Sequence, residues 1–380
     1  MLQSYSATLN TTLHMWKSTD IKWLDVDISA SCNAGCIDCN RFWYNKDTDE
    51  YELNPLHGAM NKLADVTKFE SIIEQFHDLD YLQLLGNVGD PMIHPHIDQF
   101  IEIGNKHHPN SIIEINSNSS VGSIKSWEKV SSLGTKLGER LKLVFSIDGL
   151  EDTNHIYRRG CDWNRIMERA KIFIDGGGYA EWKMIDFPYN KNQREEAKAL
   201  ASKMGFKMFT VFPRQTPTPE FDKRIVEHSR KPVIRKVAKM PKFNIDKAVQ
   251  HHQKMVDYFA DQPGFEITPK CARQDDGSWP NFQINVEGTL WPCCFASNLP
   301  FVGGTIAMHW KQLEEKYIKL YGDNWNNLYH RKLDDILATD WFTKDLPSSW
   351  KKPKESMFMC LENCGTCRDR PARIEEELNA

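Results

Sequence analysis

Three cysteines stand close together near the amino end of the chain, at Cys32, Cys36 and Cys39. They follow a strand-like run, residues 22–29, so they are predicted to lie on a loop at the end of a strand. Thiolates are soft ligands, and three of them spaced C-x3-C-x2-C can surround one iron–sulfur cluster. A four-iron cluster held by three cysteines leaves one iron open, which is typical of a catalytic site rather than a structural one.

A structural zinc site is the alternative, but it needs a fourth nearby ligand and more often shows paired C-x2-C units. The loop resembles the signature of the radical S-adenosylmethionine (SAM) enzymes. The resemblance implies a SAM-binding 4Fe–4S cluster that cleaves SAM to methionine and a 5′-deoxyadenosyl radical, which then abstracts hydrogen from a substrate. Many members carry an aromatic residue where this chain has Asp38, so we expect Phe42 or Trp43 to pack on the adenine.

A glycine-containing loop, residues 85–95, follows the second predicted strand. It resembles the Gly-Gly-Glu-Pro loop of the family, with Asp90 in the place of the glutamate. Glycines such as Gly89 let backbone carbonyls approach a bound ammonium group closely. A Gly-Asp-Pro turn is common in proteins and by itself indicates no function. Its position one strand after the cysteine loop is what supports the resemblance. The resemblance therefore implies that Gly89 and Asp90 contact SAM.

Polar residues also end the third and fourth predicted strands. Asn118 lies in a stretch that resembles the family's Thr-Asn-Gly, and Ser146 begins a run that resembles its Ser-Ile-Asp-Gly. Folds with parallel strands bind their ligands at the carboxyl ends of those strands. We expect Ser146 to contact the SAM ribose or carboxylate and Arg158 or Arg159 to neutralise that carboxylate, although either arginine can instead cap a helix or form a salt bridge.

Strand and helix patterns alternate along residues 22–212. The predicted strands are 22–29, 81–85, 111–116, 141–147, 180–187 and 206–212, and the predicted helices are 67–79, 96–106, 123–137, 163–175 and 192–204. Short apolar strands separated by helices predict a parallel α/β sheet with right-handed crossovers. The resemblance implies a partial (β/α)6 TIM-like barrel, although periodicity alone fits a doubly wound sheet equally. Residues 40–66 are predicted to be irregular, with Thr67 as a helix N-cap.

A basic, proline-punctuated segment follows the predicted barrel. Residues 203–254 contain thirteen Lys or Arg against four Asp or Glu. Such a run is usually a solvated connecting surface, which we favour, and the alternative is a docking surface for an acidic peptide or phosphates. Its aromatic residues do not alternate with the basic ones as they do in proteins that bind single-stranded nucleic acid. The whole chain has a net charge of −4, so we do not expect nucleic acid as a partner.

Six cysteines in residues 264–373 form a second group. A strand at 281–286 and the Glu287-Gly288 turn predict a hairpin. The group resembles a twitch or SPASM domain, a small α+β module with an auxiliary iron–sulfur cluster. The resemblance implies an auxiliary 4Fe–4S cluster whose ligands are Cys271, Cys293, Cys364 and Cys367. A zinc ribbon is the alternative.

Three cysteines are not among the ligands that the resemblance implies. Four ligands suffice for one cluster without Cys294 and Cys360, although either can replace a neighbouring ligand or help hold a second cluster. Cys161 stands alone in the sequence and is predicted to be a buried residue.

Length and composition allow two domains in the 380 residues. The predicted organisation is an N-terminal extension, the barrel, the basic connection, the auxiliary-cluster domain and a tail, at residues 1–20, 21–213, 214–263, 264–373 and 374–380. No stretch approaches the roughly 20 apolar residues of a membrane span, and no secretory signal is recognisable. Ten cysteines without such a signal predict a cytoplasmic protein with reduced thiols.

The resemblance also implies partners. Twitch and SPASM relatives mostly modify peptides or proteins, or dehydrogenate small alcohols such as aminocyclitols. We favour a peptide substrate, with an electron donor such as flavodoxin or ferredoxin. A different class of function is a zinc-stabilised scaffold that only binds partners.

Overall fold

The structure is a computed structural model. It describes residues 16–55, 61–214, 218–239, 250, 253–254, 256–258, 261–262, 265–269, 271, 281–297, 314–351, 357, 360–361, 364–365 and 374–378.

A large, mostly parallel sheet organises these residues. The strands are β1 (Trp23–Asp27), β2 (Phe42–Asn45), β3 (Glu50–Leu53), β4 (Tyr81–Leu85), β5 (Ile112–Ser117), β6 (Leu141–Ser146), β7 (Tyr179–Asp186), β8 (Met208–Pro213), β9 (Asn281–Ile284), β10 (Leu290–Trp291) and β11 (Ile374–Glu377). In the described part of the chain, the main sheet has the order β10-β9-β1-β4-β5-β6-β7-β8-β11. The six strands predicted before residue 213 pair in chain order and in parallel, as expected.

Helices connect the parallel strands. They are α1 (Val66–Ile73), α2 (Ile97–His107), α3 (Ile124–Leu137), α4 (Asn154–Tyr157), α5 (Trp163–Asp175), α6 (Arg194–Met204), α7 (Pro219–Ser229), α8 (Leu333–Leu337) and α9 (Leu346–Trp350). Side-chain caps explain two of the starts, because Ser123 accepts from Ser126 N at 3.1 Å and Asp162 accepts from Arg165 N at 3.0 Å. No helix among the described residues is long and apolar enough to cross a bilayer.

Alternating side chains divide the main sheet into two faces. Leu24, Leu82 and Ile113 are fully buried against helix residues such as Phe69 and Phe100 in one apolar core. Burial of this face stabilises the fold by roughly 25 cal/mol for each Å² of apolar surface removed from water. The intervening strand residues point to the opposite face, which is polar.

The stretch predicted to be irregular, residues 40–66, contains the antiparallel pair β2–β3. The prediction missed this hairpin because each strand has only four residues, too few for a clear alternating pattern. The following helix also begins earlier and ends earlier than predicted. Asp65, not Thr67, is its N-cap: Asp65 Oδ1 accepts from Thr67 N at 2.9 Å and from Lys68 N at 3.2 Å. The helix ends at Ile73 rather than Leu79.

The carboxyl-terminal part joins the same sheet at both edges. The predicted hairpin is present as β9–β10, with Gly288 at φ +82° in its turn, and β9 pairs in parallel with β1. Residues 374–377, assigned to a tail in the sequence analysis, form β11 and pair antiparallel with β8. The separate auxiliary-cluster domain and the other domain limits remain predictions.

Candidate functional site

The cysteine loop lies just beyond the carboxyl end of β1, as predicted. Cys36 and Cys39 belong to one tight turn, in which Cys39 N donates to Cys36 O at 3.2 Å. Gly35 N donates to Arg159 O at 2.7 Å and so ties the loop to the segment after β6. Cys36 is buried and Cys32 and Cys39 are half-buried in a small apolar cluster, separate from the main core, that includes Phe42. The loop is therefore held in place on several sides.

The three thiols lie within electrostatic range of one another. Burial raises the pKa of Cys32 to about 12, and the charges of Asp90 and Cys36 raise it further. Burial raises the pKa of Cys36 to about 11, with Arg158 lowering it and Cys39 raising it. Among the residues that the structure describes, no three His, Cys, Asp or Glu side chains form a group with the geometry of a bound metal ion.

Hydrogen-bond donors near the cysteine sulfur atoms indicate whether this loop can hold an iron–sulfur cluster. Ala34 N donates to Cys32 Sγ at 3.4 Å, and Asn118 Nδ2 donates to the same sulfur at 3.5 Å. Arg158 Nη1 lies 3.9 Å from Cys36 Sγ. N–H donors directed at sulfur stabilise thiolates, and thiolates are the form that binds iron. The donor set of Cys32, Cys36 and Cys39 therefore fits a cluster.

The glycine loop packs directly against the start of the cysteine loop. A Cβ atom on Gly89 would lie 2.0 Å from Ser29 O, so only glycine permits this approach. Arg41, which the sequence analysis did not single out, is buried and donates through Nη1 to both Ala30 O and Val88 O. This arginine holds the cysteine loop and the glycine loop together. The sequence does not indicate this role, because Arg41 is far from the glycine loop along the chain.

Asp90 is buried and its carboxylate is occupied by donors from the protein. Its Oδ1 accepts from Ser117 Oγ at 2.8 Å and from Met92 N at 3.1 Å, and its Oδ2 accepts from Asn118 N at 2.8 Å. Burial raises its pKa to about 6, while these hydrogen bonds oppose the rise. Asp90 thus links the glycine loop to the end of β5. Its direct contact with SAM remains a prediction.

Asn118 is the candidate that lies nearest the cysteines. Its amide donates to Cys32 Sγ and, at 2.9 Å, to Asn33 Oδ1, while its Oδ1 accepts from Ser120 N at 2.9 Å. Asn118 therefore orients the first cysteine of the motif. Ser146 is half-buried at the end of β6, where it pairs in register with Lys183.

The two candidate arginines have different positions. Arg158 Nε pairs with the buried carboxylate of Asp148 at 2.5 Å, and its guanidinium lies beside Cys36. Arg159 Nη2 instead donates to Lys231 O at 3.2 Å and Pro232 O at 2.9 Å, so it anchors the basic segment. Both arginines therefore contact the cysteine loop, Arg158 through its guanidinium and Arg159 through its backbone carbonyl, but only the guanidinium of Arg158 lies beside a cysteine sulfur.

Cys161 is closer to the motif than its position in the sequence indicates. Burial raises its pKa well above the ordinary value, and the charges of Cys36 and Cys32 raise it further. Its backbone N–H donates to Arg158 O at 3.0 Å. Sequence spacing gave no signal for this neighbour, because the turn after α4 brings it back to the loop.

The basic segment lies over the cysteine loop. Arg235 donates through Nη1 to Cys32 O at 3.0 Å and through Nη2 to Asn33 O. Residues 236–238 continue along β3, because Leu53 N donates to Lys236 O at 2.9 Å and Ala238 N donates to Leu53 O at 2.8 Å. Lys236 Nζ also lies 3.6 Å from Glu52 Oε1. Part of the positive charge of this segment is thus already engaged with the protein itself, since Arg235 binds the cysteine loop and Lys236 pairs with Glu52.

We expect Arg235→Ala to release iron to a chelator several-fold faster than the wild type. Two carbonyls of the ligand loop lose a charged donor in this variant, and such hydrogen bonds are stronger than neutral ones. The time course of iron release measures the effect. Lys239→Ala is the matched control, since Lys239 is exposed in the same segment. Equal release rates in both variants would show that Arg235 does not hold the loop.

The fold is similar to that of SuiB from Streptococcus suis bound to S-adenosylmethionine, with a TM-score of 0.52, 14% identity, and coverage of 87% of this chain and 68% of SuiB. A second SuiB structure gives the same values. SuiB bound to precursor peptide SuiA gives a TM-score of 0.49 and 15% identity, covering 86% of this chain and 66% of that one. No protein-family model and no curated protein matches the sequence. SuiB is a radical SAM enzyme.

The chain shares the fold of SuiB. The polar face of its sheet carries several carboxylates. Asp25 and Asp27 lie on this face of β1, and Glu114 on β5 accepts from Asn116 Nδ2 at 2.6 Å. Asp27 accepts from Asn87 N at 2.7 Å and from Gln283 Nε2 at 3.1 Å. Burial raises the pKa of Asp25 and of Asp27 to about 7 each.

These raised pKa values predict a pH dependence of stability. The folded-state pKa of Asp27 lies above the unfolded value of about 3.9, so the folded protein binds the extra proton between these limits. The free energy of unfolding contributed by Asp27 is therefore expected to fall by up to about 4 kcal/mol as the pH rises from about 4 to about 7. Asp27→Asn should flatten this dependence.

Urea denaturation between pH 4 and pH 8 measures the difference between this variant and the wild type. The exposed Asp80 provides the control, Asp80→Asn. A pH profile for Asp27→Asn that runs parallel to the wild-type profile would contradict the prediction.

The fold also gathers carboxyl-terminal cysteines. Cys271 and Cys360 are buried, and the thiols of Cys293, Cys360 and Cys364 all act on the pKa of Cys271, which burial raises well above its ordinary value. Burial raises the pKa of Cys294 to about 12, and the charges of Cys293 and Asp25 raise it further. Cys367 lies outside the described residues.

Proposed function

We propose that this protein is a radical SAM enzyme whose cluster is held by Cys32, Cys36 and Cys39. The observation that supports the proposal is the placement of these thiols at the end of β1, with donors on the sulfur of Cys32 and with the glycine loop packed alongside. When bound and reduced, the cluster supplies the electron that cleaves SAM to methionine and a 5′-deoxyadenosyl radical, which abstracts hydrogen from the substrate.

The residues of this chain bind and orient the reactants. The carbonyls around Gly89 accept from the SAM ammonium group, since glycine lets them approach. Arg158, fixed by Asp148, neutralises the SAM carboxylate, and Ser146 binds the carboxylate or the ribose. Asn118 Nδ2 and Ala34 N donate to Cys32 Sγ and stabilise its thiolate form. The apolar cluster around Cys36 and Phe42 excludes water from the site.

We propose a peptide or protein as the substrate. SuiB binds precursor peptide SuiA, and we extend this preference to the present chain. The exposed part of the basic segment, for example Lys239, offers positive charge for an acidic peptide, whereas Arg235 is already engaged with the cysteine loop. An electron donor such as flavodoxin or ferredoxin supplies the electron that reduces the cluster.

A small-molecule dehydrogenase is the second candidate. The carboxylates of Asp25, Asp27 and Glu114 on the polar face favour a substrate that carries an amine, such as an aminocyclitol. Stimulation of 5′-deoxyadenosine formation by such an amine, but not by peptides, would favour this candidate.

Anaerobic reconstitution with iron and sulfide, followed by reduction in the presence of SAM, tests the proposed function. Protein with two 4Fe–4S clusters should be brown, contain about eight irons per chain and form 5′-deoxyadenosine and methionine. Colourless protein that contains zinc and no iron, and forms neither product, would indicate the zinc-stabilised scaffold instead.

A further inference from the structure

β11 covers the edge of β8, the last strand of the parallel part of the sheet. The pairing is antiparallel and runs from Ile374, opposite Val211, to Leu378, whose N–H donates to Lys207 O at 2.9 Å. A chain paired with β8 in this way runs from the carboxyl ends of the parallel strands, where the cysteine loop lies, toward their amino ends.

The side chains of β11 alternate between the two faces of the sheet. Those of Ile374, Glu376 and Leu378 share the face that the helices cover. Leu378 is buried in the main apolar core, and the carboxylate of Glu376 pairs with Lys198 Nζ on α6. This face of the β8 edge therefore accepts an acidic residue that is followed, two positions later, by an apolar one.

The contacts that hold β11 are weak. Glu375 lies on the polar face, where burial raises the pKa of Glu181 and the charges of Glu114 and Glu375 raise it further. Like charges on neighbouring strands are destabilising. The paired side chains of Lys198 and Glu376 are 32% and 30% exposed, and exposed ion pairs contribute little to stability. Separation of β11 from β8 is therefore expected to cost much less free energy than unfolding of the buried strands.

We infer that the β8 edge is the docking site for an extended, acidic stretch of the peptide substrate and that β11 occupies this edge as an internal mimic of that stretch. Peptides commonly bind by adding a strand to the edge of a sheet, where main-chain hydrogen bonds provide affinity and alternate side chains provide specificity. Here Lys198 and the buried position of Leu378 provide the specificity. The inference rests on the proposed peptide substrate and names the surface that binds it.

The antiparallel pairing also sets the direction of the bound substrate. Ile374 lies nearest the carboxyl end of β8, and Leu378 lies nearest its amino end. A peptide bound in the same direction presents the residues before its acidic stretch toward the cysteine loop. We therefore expect the modified residue to precede the acidic stretch in the substrate.

Binding of a synthetic peptide that contains Val-Ser-Glu-Ser-Leu tests the docking site, and a peptide that contains Val-Ser-Lys-Ser-Leu is its matched control. The full-length, reconstituted protein carries a β11 of alternating glycine and serine, which leaves the β8 edge free: Ile374→Gly, Glu375→Ser, Glu376→Gly, Glu377→Ser and Leu378→Gly. Fluorescence anisotropy should show that the glutamate peptide binds several-fold more tightly than the lysine peptide, because only the former pairs with Lys198.

Charge reversal on α6 identifies the contact. Lys198→Glu in the same protein should reverse the preference between the two peptides, whereas Lys203→Glu, at an exposed position of the same helix, should leave it unchanged. Absence of binding, equal binding of the two peptides, or a preference that Lys198→Glu does not alter would overturn the inference.

The wild-type protein provides a second measurement, which does not depend on the folding of that variant. Hydrogen exchange at residues 374–378 should be faster than in the buried strand β6, and it should increase when the glutamate peptide is added, because the peptide competes with β11 for one edge. Exchange at these residues that stays unchanged in excess peptide would show that β11 is a fixed part of the sheet.

Photo-crosslinking measures the direction of the bound peptide. A benzophenone group placed before the glutamate should label the protein near Pro213, at the carboxyl end of β8, and a group placed after it should label the protein near Lys207. The opposite pattern would overturn the inferred direction.

None of these measurements uses a reductant, so their results do not depend on SAM cleavage. Failure of the proposed function appears separately, as wild-type protein that forms no 5′-deoxyadenosine when it is reduced with SAM.

Discussion

Alanine at Cys32, Cys36 or Cys39 is expected to reduce 5′-deoxyadenosine formation to background. Each substitution removes one of the three thiolates proposed to hold the SAM-binding cluster, and the loop offers no donor of equal softness in the same place. Product analysis after anaerobic reduction with SAM measures this loss. The same variants should lose about half of the roughly eight irons, since the ligands predicted for an auxiliary cluster lie elsewhere in the chain. Product formation at the wild-type rate would remove these cysteines from the mechanism.

Cys161→Ala is the matched control for these variants. Cys161 is partly buried and its thiol lies within electrostatic range of Cys32 and Cys36, so its replacement tests whether the proposed cluster has an open iron. We expect this variant to keep its iron and its product, because the proposed mechanism leaves the fourth iron to SAM rather than to a cysteine. A loss of four irons on replacement of Cys161 would indicate a fully ligated cluster and contradict the radical mechanism.

The second large effect is expected for Gly89→Ala. The added Cβ atom would lie 2.0 Å from Ser29 O and 2.9 Å from Ala30 Cα, and both of these are backbone atoms that cannot rotate away. The glycine loop must therefore separate from the cysteine loop, and the variant should lose SAM binding together with several kcal/mol of stability. Isothermal titration with SAM and urea denaturation measure the two losses.

Gly138→Ala separates steric contact from backbone preference. Gly138 has φ +59°, but nothing lies within 4 Å of a Cβ atom built on it. The expected cost is about 1–3 kcal/mol, because a φ of +59° with a ψ of −136° is a backbone conformation that residues with a Cβ atom rarely adopt, and SAM binding should not change. If Gly89→Ala were no more damaging than Gly138→Ala, the close packing of the two loops would not be required for function.

The sequence predicted the parallel strands well because each is a short apolar run between amphipathic helices. This pattern follows from local burial, as Leu82 and Ile113 illustrate. The β2–β3 hairpin was missed because each of its strands has only four residues, too few for a clear alternating pattern. β11 was missed because its sequence, Ile-Glu-Glu-Glu, resembles a solvated tail. Edge strands form through pairing with a neighbour, which local patterns do not encode.

Spacing alone predicted Cys32, Cys36 and Cys39 as ligands for one cluster, because ligands on one short loop must act together. It also predicted that Asn118 and Ser146 lie at strand ends, and the structure places Asn118 against Cys32. Contacts between distant segments were decided only by the tertiary structure: Arg235 on the cysteine loop, Arg159 on the basic segment and Cys360 beside Cys271. The physical reason is that short-range spacing fixes which side chains share a turn, whereas packing of the whole chain fixes which turns meet.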